Sequence, residues 1–363
     1  MFDIFPPPKT KILIFDFHGS EYLSKCLPRN SSSVLFTRYE KLNLFIILKC
    51  FLKFKFKYRD YLKIYIEYVK PKILLTYIDN NIFFYQINFN FLKKIAIQNS
   101  RRTGIPLDMF FNIKRNSSKL KSDYLLLHNE GIAKLYEKYI DSKIKFIGSF
   151  RSNLQKISKK KIYTLGYIST FRNHNLNEKL FKNYSYKEFR SSEIKLLNYL
   201  RRYCKEKNLK PYVIGCIPGK EELEKERSFY NNILGNNYIF IENFLDRKTY
   251  SLIDKFKVLV GIDSTLNYEN FGRGNKTAFF SYRSMKYPFD SRKFGWPLQL
   301  KLNNKFWTAK KDYKNFKKIL SYTINCKDNE WQKNFRKYYK SLMYYDKNNL
   351  YFKKLIKKLL KEN

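Results

Sequence analysis

Short apolar segments alternate with longer amphipathic stretches through the first half of the chain. Six runs of strand length are rich in Val, Ile, Leu and aromatic residues and bounded by polar residues; they lie at 11–17, 34–37, 72–78, 93–98, 124–127 and 143–147. Between them, residues 58–69 and 130–139 have the length and pattern of helices. Alternation of this kind predicts a mainly parallel sheet covered by helices on both faces.

A second alternation begins after a polar, basic stretch at residues 151–161, which is typical of a linker. Strands are predicted at 162–168, 211–215, 238–241, 258–262 and 277–281, and helices at 188–207, 220–233, 247–256 and 266–271. We therefore expect an α/β fold of two doubly wound, Rossmann-like domains, residues 1–150 and 162–311, with a ligand in the cleft between them. Basic helices are expected at residues 312–363.

The charge of the chain changes this picture less than its size suggests. The sequence has 73 Lys and Arg against 31 Asp and Glu, a formal net charge of +42, which first suggests nucleic acid as a partner. However, Lys is spread along the whole chain with abundant Asn, Ile, Tyr and Phe, a bias that an AT-rich genome imposes on any protein. Compositional bias, an anionic membrane surface or an acidic polymer accounts for the charge, and no specific nucleic acid partner is expected.

The five cysteines and three histidines are scattered, without the spacing of a zinc site or a disulfide framework. Scattered thiols fit a reducing compartment, so we expect a cytoplasmic protein, and residues 1–8 lack the pattern of a secretory signal. No stretch approaches the ~18–20 apolar residues of a membrane span. The nearest, residues 42–58, ends in Lys alternating with Phe, which suits either a helix lying on a bilayer interface or a core helix with a basic outer face.

Polar residues follow several predicted strands of the first domain, at the edge where ligands bind in open α/β sheets. Those at the first strand are Asp16, His18, Ser20 and Glu21; later strands are followed by Asp79, Asn80 and Asn81, by Gln98, Asn99, Ser100, Arg101 and Arg102, and by Ser149 and Arg151. Loops at strand ends are polar in most proteins, so no single cluster is specific. Their coincidence along one predicted edge indicates a binding site.

The strongest local signal is the passage from a buried strand into Ser264-Thr265 and then a helix. Free N–H groups at a helix start bind phosphate readily. Helix capping by Ser or Thr is the alternative explanation. A capping box needs Glu or Gln three residues after the cap, whereas Glu269 comes four residues after Thr265 and five after Ser264. Glu269 is therefore expected to contact a ligand, such as the hydroxyls of a ribose.

Motifs of several other enzyme classes are missing from the sequence. It contains no DxD carboxylate pair that could hold a metal ion, so we expect a mechanism without metal or cofactor, in which a helix dipole and cationic side chains neutralise a phosphate group. It also contains no GxxxxGK[ST], no GxGxxG and no GxSxG, which argues against a P-loop ATPase, a dinucleotide oxidoreductase and a serine hydrolase of that type.

The pattern DSTLxxExxxxG at residues 263–274, followed by the apolar strand TAFF, resembles the donor-site segment of GT-B glycosyltransferases. The ordered motifs FDFHGSE, TYIDNN, IQNSRR, IGSFRSN, LGYISTFR and FGWP, with Phe306-Trp307, resemble a family of bacterial surface carbohydrate biosynthesis proteins. This resemblance covers residues 11–307. It implies that the second domain binds a nucleotide-activated sugar and the first domain binds a glycan or glycolipid acceptor.

Carried over to this sequence, the resemblance assigns a role to each candidate. Ser264 and Thr265 would hold the donor phosphate, Glu269 the ribose, and Ser169 with Arg172 would add a phosphate clamp. Glu21 and Asp79 compete as the base of an inverting transfer, whereas His18 departs from the family pattern. Residues expected to line the acceptor side or close over the donor are His18, Asn80, Gln98, Asn99, Arg101 and Arg102.

These expectations give one reading and two rivals. The first is transfer of a sugar to a growing, lipid-linked surface glycan at the cytoplasmic face of a membrane. The second keeps the fold but moves a polyol phosphate from a CDP-linked donor, as teichoic-acid-type polymerases do. The third is a basic membrane-binding or nucleic-acid-binding module without activity.

Overall fold

The computed structural model describes residues 1–102, 120–181, 184–216, 219–242, 249–283 and 292–362. The chain divides into two compact units. The first comprises Met1–Leu154 and Tyr344–Asn363, and the second comprises Gln155–Met343.

The first unit is built on a six-stranded sheet whose neighbouring strands are all parallel. Its strand order is β3-β2-β5-β6-β7-β8, and a separate parallel pair joins β1 to β4. The strands are β1 (Phe2–Asp3), β2 (Ile12–Phe15), β3 (Ser32–Leu35), β4 (Leu42–Asn43), β5 (Ile73–Thr76), β6 (Lys93–Ile97), β7 (Leu120–Leu127) and β8 (Ile140–Phe146). The helices are α1 (Ser20–Ser24), α2 (Leu44–Leu52), α3 (Tyr58–Val69), α4 (Ile82–Gln86), α5 (Glu130–Tyr136) and α6 (Phe150–Asn153).

One face of this sheet is covered by the last helix of the chain, Leu350–Lys361. Alternate strand residues such as Ile12, Ile14, Ile73 and Leu75 form one buried cluster with its apolar stripe, which consists of Phe352, Leu355, Ile356 and Leu359. Because this stripe recurs at helical spacing, the helix can pack along the sheet face while its lysines stay outside.

The second unit contains another six-stranded parallel sheet, in the order β13-β12-β9-β14-β15-β16. Its strands are β9 (Tyr163–Ile168), β12 (Tyr212–Ile214), β13 (Ile239–Ile241), β14 (Phe256–Gly261), β15 (Thr277–Phe280) and β16 (Trp307–Thr308), and β10 (Lys179–Phe181) pairs separately with β11 (Tyr184–Ser185). The helices are α7 (Tyr186–Glu206), α8 (Lys220–Leu234), α9 (Thr249–Ile253), α10 (Thr265–Gly272), α11 (Tyr313–Asn325) and α12 (Asp328–Leu342). Buried side chains of α7 and α11 pack on one face of the sheet.

The predicted fold class, two Rossmann-like parallel α/β sheets, is confirmed. Among the described residues, no helix is both long and apolar enough to cross a membrane. The structure divides the tail that the sequence analysis treats as one segment: α11 and α12 belong to the second unit, and Tyr344–Asn363 belongs to the first.

The stretch predicted as a linker, residues 151–161, is largely fixed within the units. Residues 151–153 lie in α6 of the first unit. In the second unit, the Ser158 N–H donates to Asp254 Oδ2 over 2.9 Å, and Lys161 Nζ donates to the Asp254 carbonyl over 2.8 Å. These contacts with Asp254 fix the end of the stretch to the second unit.

Candidate functional site

In the second unit, β14 leads directly into the helix start that the sequence analysis singles out. Ser264 occupies the N-cap position of α10, with extended backbone angles, but its hydroxyl makes no capping hydrogen bond. It has no other side-chain partner among the described residues, and it is half-buried. Capping therefore does not account for this serine, and its hydroxyl lies at the positive end of the helix, available to an anion.

The start of α10 lies unusually close to the end of β14. A Cβ atom added to Gly261 would overlap the Asn267 amide, so only glycine allows this approach. The Asn267 side chain is fully buried, and neither its oxygen nor its nitrogen has a partner among the described residues. Because an unsatisfied buried amide costs free energy, its retention beside the helix start sets this place apart from an ordinary strand-to-helix turn.

Glu269 lies on the second turn of α10 and is 6% exposed. Its Oε1 accepts a hydrogen bond of 3.1 Å from the hydroxyl of Tyr250 on α9. Since Ser264 is the N-cap, Glu269 is five residues away and takes no part in a capping box. The carboxylate is thus positioned by a tyrosine at a site that is mostly, though not completely, closed to solvent.

Two arginines that the sequence analysis did not select converge on the residue before Ser264. Asp263 accepts from Arg283 over 2.7 Å and from Arg292 over 2.5 Å. Arg283 is fully buried and also donates to Thr170 Oγ1 over 3.0 Å, whereas the Arg292 side chain is 17% exposed. Because β9 and β14 are neighbours, this network joins the carboxyl ends of both strands. The position of Arg283, three residues after β15, was the signal in the sequence that could have identified it.

Ser169 and Arg172, predicted as a phosphate clamp, lie in different surroundings. Ser169 is 2% exposed; its hydroxyl is hydrogen-bonded to Glu226 and accepts from Tyr230 over 2.8 Å. Arg172 is exposed, and its guanidinium donates to the Phe171 carbonyl over 2.8 Å. The Ser169 hydroxyl is therefore bonded within the interior, which leaves Arg172 as the exposed member of the predicted clamp; the clamp itself stays a prediction.

The buried carboxylate of Glu193 accepts hydrogen bonds near this end of β9. Glu193 Oε1, on α7, accepts from Tyr167 over 2.7 Å and from Tyr230 over 2.8 Å. Burial first, and the Glu193 charge second, raise the pKa of both tyrosine hydroxyls far above its usual range. Both tyrosines therefore stay protonated and act as donors, which fixes the loop that begins at Ser169.

In the first unit, the loop after β2 holds its backbone in an uncommon conformation. Asp16 has a φ of 92°, and its carboxylate accepts from the His18 N–H over 2.8 Å, Thr37 Oγ1 over 2.9 Å and Arg38 Nε over 2.9 Å. Gly19 has a φ of 79°, and a Cβ there would overlap the Tyr77 ring. This fixed loop leaves His18 exposed.

Glu21 lies in the first turn of α1, immediately after this loop, and is exposed. A carboxylate in the first turn of a helix is favoured by the helix dipole, so its position has a structural explanation as well. Glu21 is nevertheless exposed, so a substrate hydroxyl could reach its carboxylate. The other candidate base, Asp79, has no exposed surface.

Asp79, the other candidate base, is completely buried. Arg102 donates to both of its oxygens, through Nε over 2.8 Å and through a closer Nη2 contact, and the Tyr136 hydroxyl donates to Oδ2. The Asn99 N–H also donates to Oδ1, over 3.2 Å. A carboxylate with both oxygens occupied and no exposed surface is out of reach of an acceptor hydroxyl, so the structure does not support the prediction of Asp79 as the base.

The structure brings the other predicted residues of the first unit around this ion pair. Arg102 Nη2 donates to Asn99 Oδ1 over 2.7 Å and reaches Asn80 Oδ1 at 3.4 Å, and Arg101 is half-buried beside it in sequence. Arg102 is only 5% exposed. The guanidinium therefore organises the two strand-end loops, while Arg101 is the more accessible cation.

Gln98 pairs with a histidine that the sequence analysis did not select. The Gln98 side chain accepts from the His128 N–H over 2.9 Å, and the Gln98 carbonyl accepts from His128 Nε2 over 3.0 Å. Burial lowers the pKa of His128 to about 4, so the ring is neutral at physiological pH. Gln98 is 2% exposed, and it links the ends of β6 and β7 rather than facing solvent.

Comparison with known proteins places the chain in a family. The family model described as "putative O-antigen biosynthesis protein" matches residues 95–360, most of the chain. The chain belongs to this family. The resemblance to bacterial surface carbohydrate biosynthesis proteins is thereby confirmed, whereas a search of curated proteins gives no match.

Solved structures are similar across nearly the whole chain. The wall teichoic acid polymerase TagF is 15% identical, with a TM-score of 0.53 over 99% of this chain and 90% of that one. The S. aureus MnaA–UDP co-structure is 13% identical, with a TM-score of 0.50 over 94% of this chain and 92% of that one. At such low identity the likeness establishes the fold, and it agrees with the GT-B-like class predicted from the sequence.

Among the described residues, no three His, Cys, Asp or Glu side chains are grouped so that they could hold a metal ion. The expectation of a mechanism without metal or cofactor stays a prediction.

Proposed function

We propose that this protein is a transferase of surface carbohydrate synthesis that takes a sugar from a nucleotide-activated donor. The observation that carries the proposal is the start of α10, where the Ser264 hydroxyl makes no capping bond and lies at the carboxyl end of a parallel strand. A diphosphate bound there would gain hydrogen bonds from the hydroxyl and from first-turn N–H groups, together with the favourable helix dipole.

Membership of the O-antigen biosynthesis family supports the substrate class. Two proteins of similar fold were studied with nucleotide compounds: a TagF variant was soaked with CDPG, and MnaA was solved with UDP. Transferred to this chain, these ligands support a nucleoside diphosphate portion of the donor.

In the second unit, hydroxyl, carboxylate and guanidinium side chains would contact different parts of the donor. Ser264 and Thr265 would bind the phosphates, and Glu269 would accept hydrogen bonds from ribose hydroxyls. Arg172 and Arg292 retain exposed surface and would neutralise charge on the leaving nucleotide. This electrostatic stabilisation would make an inverting, metal-independent transfer possible.

In the first unit we propose Glu21 as the base that takes the proton from the acceptor hydroxyl. Asp79 and Arg102 would hold the strand-end loops in place, and Arg101 would contact an anionic acceptor. The acceptor would be a glycan or glycolipid precursor. A cytoplasmic location at a membrane surface belongs to the same proposal.

A second candidate is transfer of a polyol phosphate from a CDP-linked donor. The similarity in fold to TagF, a wall teichoic acid polymerase, favours keeping it. The two reactions leave different products, because polyol phosphate transfer creates a new phosphodiester and sugar transfer creates a glycosidic bond.

A nucleotide screen tests the proposal. CMP, CDP, UDP and GDP are each added to the full chain, and the thermal midpoint Tm is measured. One of them should raise Tm, because a ligand that binds only the folded state stabilises it. If none shifts Tm while polymeric nucleic acid binds with steep salt dependence, the chain is instead a basic binding module.

A further inference from the structure

A large apolar surface lies on the first unit, formed by residues 1–5 and by the segment from α2 to residue 56. We call it the apolar ridge. Its exposed residues are Met1 (83% exposed), Phe2, Ile4, Phe5 (78%), Leu44, Leu48, Phe51, Leu52 (72%), Phe54 (82%) and Phe56. Contiguous apolar surface of this kind is rare on soluble proteins and marks an interaction site.

Helix α2 contributes to the ridge because all its residues except Lys49 are apolar, while only one side of it is buried. Ile46 and Cys50, one turn apart, face the interior. Leu44, Leu48, Phe51 and Leu52 recur at intervals of three and four and are exposed. A surface helix that packed only against the core of the unit would carry polar residues at those positions.

The N-terminal residues are held beside the start of this helix. Phe2 and Asp3 of β1 pair with Leu42 and Asn43 of β4, directly before α2. The Asn43 side chain then caps α2 at Ile46 and donates to the Phe5 carbonyl over 2.8 Å. The ridge is therefore a built feature of the fold, not a frayed end.

Lysines alternate with the aromatic residues at the far end of the ridge. Residues 42–57 contain four lysines and no carboxylate. Lys49 lies over the Phe45 ring at 5.0 Å, and Lys53 pairs with Glu67 at 2.8 Å. Lys55 and Lys57 are exposed and have no ion-pair partner among the described residues. Lys55 thus lies between the exposed Phe54 and Phe56, and Lys57 follows Phe56 directly.

We propose that the apolar ridge docks on the surface of an anionic lipid bilayer, with α2 lying in the interface. The ridge offers leucines and phenylalanines to the acyl boundary, and long lysine side chains can reach the headgroups from the same position. The positive charge matches an anionic leaflet, whereas a protein partner would leave Lys55 and Lys57 to be paired or desolvated. This inference rests on the membrane location put forward with the proposed function and names the surface responsible for it, and its test does not depend on the donor or on transfer activity.

Vesicle co-sedimentation tests the inference on the full chain, with phosphatidylcholine vesicles and with vesicles containing a third phosphatidylglycerol. The native chain should bind the anionic vesicles more tightly. The triple variant Leu48→Ser, Phe51→Ser, Phe54→Ser should weaken this binding by about a hundredfold or more, because each exposed side chain gives up burial in the acyl boundary. The double variant Lys55→Gln, Lys57→Gln should weaken it by roughly 25-fold, about fivefold for each lysine.

Matched controls lie elsewhere on the surface. Leu302→Ser removes another exposed leucine, and Lys159→Gln with Lys160→Gln removes two other exposed lysines. Both should retain native binding, and unchanged circular dichroism in all variants would verify folding. If the ridge variants bind vesicles as the native chain does, or if they only convert a dimer into a monomer in size-exclusion chromatography, the inference is overturned.

Discussion

Ser264 and Ser185 are both N-cap serines of helices in the second unit, but only one of them caps. Ser185 accepts a hydrogen bond from the Glu188 N–H over 3.4 Å within a complete capping box, whereas Ser264 makes no such bond. The two serines therefore form a matched pair that separates helix capping from ligand binding by one substitution each.

Without ligand, the two alanine variants should differ in stability. Ser185→Ala should lose about 1 kcal/mol of unfolding free energy, the usual contribution of a capping side chain. In a unit of this size that corresponds to a fall in Tm of about 2–4 °C. Ser264→Ala removes no capping bond and should leave Tm within about 1–2 °C of the native value.

With the nucleotide identified in the screen, the order should reverse. At a concentration of about 100 times Kd, binding stabilises the native chain by about 2.7 kcal/mol, or roughly 5–10 °C in Tm. Loss of a hydrogen bond to a charged phosphate, about 1.5–3 kcal/mol, weakens affinity by roughly 10–100-fold. Ser264→Ala should then retain only about 0.4–1.4 kcal/mol of the stabilisation, and Ser185→Ala should retain all of it.

Differential scanning calorimetry on the native chain and both variants, each with and without nucleotide, gives all the values. The reasoning is refuted if Ser264→Ala keeps the full nucleotide shift, or if both variants lose it equally.

Three further predictions concern the candidate bases Glu21 and Asp79, the buried ion pair of Arg273 with Asp254, and His128. Glu21→Gln should lower kcat by a factor of about 10²–10⁴ without changing Tm, whereas Asp79→Asn should lower Tm. An equal loss of kcat at unchanged Tm in both variants would reject Glu21 as the single base. Arg273→Met should cost about 3–5 kcal/mol in thermal unfolding, because it leaves Asp254 buried without its bidentate partner, to which Arg273 donates over 3.0 and 2.6 Å. Burial lowers the pKa of His128 to about 4, so the unfolded chain binds the proton first as the pH falls from 6.5 towards 4. The free energy of unfolding should therefore fall by about 3 kcal/mol over this range. Urea unfolding of His128→Asn should show a shallower pH slope, and an unchanged slope would contradict this assignment.

Local pattern was sufficient to predict most strands and the passage from strand to helix at Ser264. The central strands, such as β2, β5 and β14, are short and apolar, and parallel strands buried on both faces give a clear signal in sequence. The turn at Ser264 could be recognised because strand, hydroxyl residues and helix follow one another directly. Arg283 and Arg292, which donate to the preceding Asp263, come close to this turn only in the folded chain.

The role of Asp79 could not be read from its neighbours in sequence. Its partners Arg102 and Tyr136 lie 23 and 57 residues away. A carboxylate after a strand looks the same in sequence whether it faces a substrate or a buried guanidinium, because the difference lies in tertiary pairing. Likewise, the sequence of α2 allowed a core helix or an interfacial helix, and only the folded structure reveals that Leu48 and Leu52 are exposed on its outer face.

The most direct test of the central claim is phosphorus NMR of a reaction containing the full chain, CMP-, CDP-, UDP- and GDP-linked donors in turn, and a lipid-linked glycan acceptor. Sugar transfer predicts release of free nucleotide from one donor, growth of the acceptor by one sugar in mass spectrometry, and no new phosphodiester signal. A new phosphodiester would identify polyol phosphate transfer instead, and intact donors in every reaction would contradict the claim that the protein is a transferase.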